Sequence, residues 1–197
     1  MTAEKVVKWL GFLCMLAGII RMGMTPSSFL WGDDSTPEVI CGYAACILMT
    51  VCSIALYMAQ SRETGVLGFI TALLIMIGNL MIASNFYGLF AYGFYAKEGA
   101  FAGVTGAVSG MGLLLGTILL AIMTFRAKVF PRWTVIMIVI MIISFGLPGL
   151  ERWFAFFWGA TYVAMGYLIW MGKLNKTIHA AADSPSLAAV TDQPVSK

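Results

Sequence analysis

Catalysis and ligand binding need side chains that ionise, coordinate or attack, and this chain places few of them at a useful spacing. Its one histidine, His179, lies in a polar carboxyl-terminal stretch. That removes the paired histidines that commonly ligate a membrane haem and the histidine clusters that hold zinc or copper. Cys14, Cys41, Cys46 and Cys52 all fall inside apolar stretches with no CxxC pair, and read as small packing residues. Met137 and Met141 share a helix face at i and i+4, a spacing that could offer soft ligands to copper. No second such pair recurs on another helix, so gap-filling is the better account of the 14 methionines. No GxSxG, HExxH or GxxxxGK[ST] occurs, no lysine lies deep in an apolar stretch, and no two carboxylates meet at mid-membrane depth. No enzyme activity, cofactor or metal is expected.

What remains is a small polar set within or beside apolar stretches: Arg21, Asn79, Asn85, Tyr87, Glu151 and Arg152. Ionisable groups at membrane depth are usually paired and often functional, so these residues, with Phe90 and Tyr92, could line a ligand site on the outer half of a bundle. The simpler reading is architectural. In it Arg21 pairs with Glu151 or with Asp33 and Asp34 as an interfacial lock, Asn79 bonds a neighbouring helix, and the aromatic rings form a belt. It is preferred, because several of these residues stand close enough to headgroups to be solvated.

The elements that must position them follow from composition. With 60% apolar and 11% charged residues and a mean hydropathy of +0.90, the chain departs from soluble proteins, which are about half apolar and a quarter charged. Uncharged stretches run from Val39 to Ser61, Thr64 to Ala96, Gly99 to Phe125, Trp133 to Leu150 and Trp153 to Gly172. Each is about the length that crosses a ~30 Å hydrocarbon core as a helix. The reading is an all-α transmembrane bundle, residues 1–176, with six spans at about 6–24, 39–60, 65–89, 101–124, 133–147 and 153–171. A polar tail, 177–197, is expected to be disordered. The first span is short between Lys8 and Arg21. It resembles a signal peptide in its basic start but lacks a small-x-small cleavage site, so it is retained as a helix. Thr25 to Glu38, with two prolines and three acids, reads as a loop. Ser61 to Gly65 reads as a tight turn between antiparallel neighbours.

Gly106 with Gly110, and Gly112 with Gly116, repeat a four-residue spacing of small residues on the fourth helix. Such spacing lets a second backbone approach closely, which makes this helix the expected packing centre, with an internal partner preferred over a second subunit. Orientation follows from the basic residues. With the amino terminus in the cytoplasm, Lys5, Lys8, Arg62, Arg126, Lys128, Arg132, Lys173 and Lys176 fall inside, and only Arg21, Lys97 and Arg152 outside. Trp9, Trp133 and Trp170 then reach one interface, Trp31 and Trp153 the other, and Trp158 alone lies deeper. Both termini are expected in the cytoplasm, with the chain integral to a cytoplasmic (inner) membrane as a multi-pass protein.

The basic, proline-containing loop from Phe125 to Trp133, with Arg126, Lys128, Pro131 and Arg132, resembles that of small six-helix bacterial membrane proteins of unknown function. The closing stretch from Gly166 to Lys173 is similar to theirs as well. The resemblance implies no activity and carries over no functional residues. The expected role is a non-catalytic accessory, scaffolding or lipid-interacting protein. The alternative is a small oligomeric transporter or channel with an outer-half polar site. Membrane lipids are the expected partners, with other membrane subunits or a second copy as further ones. Scattered basic clusters exclude nucleic acid.

Overall fold

The computed structural model describes residues 3–93 and 100–174, and every regular element in them is helical. In order these are α1 (Ala3–Met22), α2 (Met24–Trp31), α3 (Thr36–Tyr92), α4 (Ala100–Ala127), α5 (Arg132–Gly146) and α6 (Glu151–Trp170). Lys97, Lys176, His179 and the tail read as disordered lie outside the described residues. Lys5–Trp31, Thr36–Tyr92 and Ala102–Ala127 are long and apolar enough to cross a membrane, and Arg132–Gly146 is apolar but shorter.

α3 holds 57 residues. As one rod it would reach about 86 Å, far beyond a ~30 Å hydrocarbon core. It does not run straight. Gln60 leaves helical geometry at φ −132° and Gly65 takes φ 53°, ψ −137°, a combination that side-chain-bearing residues avoid. The chain reverses there, and two antiparallel arms, 36–60 and 65–92, lie side by side. Tyr57 packs on Phe69 with centroids 5.7 Å apart, and Tyr43 on Tyr87 at 6.4 Å.

α2 corrects the loop expected over Thr25 to Glu38. Pro26 stands in its first turn, where a backbone N–H has no helical partner to lose. Thr25, Ser27 and Ser28, towards its start, are buried, while Phe29, Leu30 and Trp31, at its end, are exposed. The buried hydroxyls are spent on bonds: Ser27 Oγ donates to Gly23 O at 2.8 Å and Thr25 Oγ1 to Arg152 O at 3.1 Å.

Packing is sorted by size more than by polarity. Ala17, Ala45, Cys46, Cys52 and Ala55 are fully buried, whereas Val66 is 74% and Met111 64% exposed. In water such an exterior would forfeit roughly 25 cal/mol for every Å² left uncovered; hydrocarbon covers it without loss, and small interior residues then let helices close on one another. The nearest approach joins α1 and α6, which run antiparallel. A Cβ added to Gly11 would stand 2.8 Å from Trp170 N, and one added to Gly166 would stand 2.6 Å from Gly11 O. Gly18 and Gly159 meet more closely still, each against the other's carbonyl oxygen. α4 lies antiparallel to the second arm of α3, with Gly116 over Ile75, and α5 joins α6 through Phe145 and Phe154 at 5.1 Å. These pairings collect Lys5, Lys8, Arg62, Arg126, Lys128, Arg132 and Lys173 at one end of the bundle. Arg21, Asp33, Asp34, Glu38, Glu151 and Arg152 gather at the other.

Candidate functional site

The site grows out of the α1–α6 crossing. Arg21 follows Gly18 by three residues, and Trp158 precedes Gly159 by one, so the contact between the two glycines sets the arginine directly against the indole. The Arg21 guanidinium carbon lies 4.0 Å from the Trp158 ring centroid and 6.0 Å from that of Phe86. Both rings present faces that attract a cation. Nη1 donates to Cys46 Sγ at 3.4 Å, a weak acceptor, and Nε is buried without a partner. Arg21 is only 4% exposed.

Two cavities meet at this side chain. The first, about 400 Å³, is polar and lies among α2, the start of α3 and the start of α6; Arg21, Asp33, Asp34, Glu38, Glu151 and Arg152 line it. The second, about 240 Å³, lies between α4, α5 and α6 and is walled largely by apolar side chains such as Leu113, Met141, Phe145 and Phe154. Its hydroxyls are occupied locally: Ser109 donates to Gly106 O and Thr117 to Leu113 O.

The interfacial lock is built differently from the sequence reading. Arg152 Nη2 bonds Asp33 Oδ2 at 3.0 Å with both side chains exposed, and Arg21 makes no ion pair among the described residues. Ser28 Oγ also donates to Asp33 Oδ1. That hydroxyl, followed by the Arg152 guanidinium, holds the Asp33 carboxyl below its ordinary range. Phe29 sits beneath Arg152 at 5.7 Å and against Trp153 at 5.8 Å, which ties α2 to the first turn of α6.

Of the six polar residues singled out, Arg21, Glu151 and Arg152 converge on one cavity. Asn79 does not join them. It is fully buried, and its Nδ2 donates to Ile75 O of its own helix at 2.9 Å, leaving Oδ1 unpartnered. Asn85 is half-buried on the same arm, and Tyr87 lines a separate cleft with Phe90, Val39, Ile40 and Tyr43. The α4 glycines are divided. Gly116 packs on Ile75 and a Cβ added to Gly112 would stand 3.7 Å from Leu74 O, whereas one at Gly106 or Gly110 would meet nothing within 4 Å. Of the four glycines, the expected internal contact is thus made by Gly112 and Gly116 and not by Gly106 and Gly110. Trp158 and Cys46 were not among the candidates; the signal for Trp158 was its depth, away from both tryptophan belts.

No family model, curated protein or solved structure matches the chain.

Proposed function

We propose that the chain is a non-catalytic protein of a cytoplasmic membrane that crosses the bilayer six times with both termini inside and serves as a lipid-interacting accessory bundle. The observation that carries this reading is the outward display of large apolar side chains on every long helix: Phe12 and Ile19 on α1, Ile47 and Ile77 on the two α3 arms, Phe125 on α4, Ile136 on α5. Hydrocarbon is the solvent that suits them. Counting each arm of α3 separately, α1, α4, α5 and α6 bring the spans to six. The gathering of basic side chains at one end favours that end for the cytoplasm. α5, at 15 residues, is about 22 Å long and needs flanking residues or local thinning to complete its crossing.

A second reading, a small oligomeric transporter or channel, is favoured by the convergence of Arg21, Glu151 and Arg152 on one polar cavity. The inward neighbour of that cavity is apolar, which suits an amphiphile better than a hydrated ion. Reporter fusions ahead of Lys5 and after Lys176 test the topology: both report cytoplasm on the six-span reading, and opposite sides refute it. Ion or solute flux in liposomes that disappears in Glu151→Gln would replace the accessory role with transport.

A further inference from the structure

We infer that Arg21 and the cavity beside it form a binding site for a single-chain anionic amphiphile, a long-chain carboxylate whose head pairs with the guanidinium and whose tail lies between α4, α5 and α6. The inference deepens the lipid-interacting role and rests on it. It starts from an imbalance of charge. A cation held away from water costs several kcal/mol unless it is paired, and a guanidinium carries five N–H donors in a fork that fits a carboxylate. Arg21 has one weak acceptor, two aromatic faces and an unpartnered Nε, and the Glu38 carboxylate acts on it only through space, with no direct ion pair among the described residues, so its donors are left to be matched by something else.

The surroundings narrow the ligand. The cavity walled by Leu113, Leu114, Met141, Ile142, Phe145 and Phe154 is about 240 Å³. That exceeds the ~150 Å³ of an apolar cavity that takes benzene, and falls below the roughly 300–1,000 Å³ that houses drug-sized ligands. One chain suits it, which disfavours two-chain phospholipids. Asp33, Glu38 and Glu151 line the polar side of Arg21 and oppose a head with two negative charges. A phosphate monoester is therefore the poorer fit, and a monovalent carboxylate the better one. Arg21 lines both cavities, so the head can rest at the polar boundary while the tail stays in the apolar one.

The full chain, purified in a neutral maltoside detergent, is titrated with palmitate, hexadecanol or acetate while its thermal midpoint is followed. Palmitate is expected to raise the midpoint saturably. Hexadecanol, which has the chain without the charge, and acetate, which has the charge without the chain, are expected to leave it in place. Arg21→Gln should raise the half-saturating palmitate concentration at least about tenfold, the loss of one good charge-assisted contact. Should that variant fold poorly, Gly110→Leu decides: it adds a side chain where no atom lies within 4 Å, on the wall of the tail cavity, and should weaken palmitate by a similar factor. Equal responses to palmitate and hexadecanol, an equal response to acetate, no response to palmitate, or palmitate binding that survives Gly110→Leu would each overturn the site. The lipid-embedded reading fails separately, if the chain is monodisperse in plain buffer without detergent.

Discussion

The α1–α6 crossing and the first half of α4 are both rich in glycine, yet the structure uses them in opposite ways. On α1 and α6 the glycines stand seven apart, Gly11 with Gly18 and Gly159 with Gly166, and each faces backbone of the other helix. On α4, Gly106 and Gly110 stand four apart in the better-known spacing and face open space. A glycine therefore marks a close approach only when a partner surface comes to meet it. The same crossing sets Arg21 on Trp158, so the packing centre and the candidate site are one feature of the fold.

The comparison breaks most readily at Gly18. Gly18→Leu forces a side chain into the backbone of α6 around Gly159 and Val163; the expected loss is roughly 3 kcal/mol or more, read as a large fall in thermal midpoint in detergent. Gly116→Leu is the intermediate case. Its nearest neighbour is Ile75 Cγ1, a side-chain atom and not backbone, at 2.7 Å from the added Cβ, with Ile75 N at 3.1 Å. A loss of about 1–3 kcal/mol is expected by the same measurement, and a loss equal to that of Gly18→Leu would erase the distinction between the two contacts. The smallest effect concerns the tie between α2 and α6. Asp33 ionises more readily in the fold than in the open chain, so its contribution is fully present above the unfolded value of about 3.9 and is lost as pH falls through its own lower value. Thermal midpoints measured from pH 6 down to pH 3 should show a small acid-side decline that Asp33→Asn removes. An unchanged decline in that variant would assign it to another carboxylate.

The helical class was legible because length and apolarity alone announce a span, and the reversal in α3 because Ser61 to Gly65 interrupts the apolar run with charge and glycine. Rotation about each helix axis was not. In a water-soluble bundle the polar face fixes which way a helix turns, but here the lipid-facing and core-facing sides are both apolar, and the polar–apolar contrast that would orient them is gone. Asn79, Tyr87 and Gly106 could therefore be assigned to a helix but not to a face of it. Arg21, Glu151 and Arg152 were easier to group, since charge confined them to one end. α2 escaped notice because its polar residues and proline look like a loop when the groups they bond, Gly23 O and Arg152 O, are out of view.

The most direct test of the crossing is a matched pair of single-methyl substitutions, Gly159→Ala and Gly106→Ala, unfolded thermally in the same detergent. Alanine is the better helix former by about 0.5–1 kcal/mol, so Gly106→Ala should leave stability unchanged or raise it. Gly159→Ala should lower it, because the added carbon meets Gly18 O and stands 2.8 Å from Met22 N, and backbone cannot yield cheaply. A loss of stability in Gly159→Ala alone is the predicted result; a loss of the same size in both proteins would contradict it.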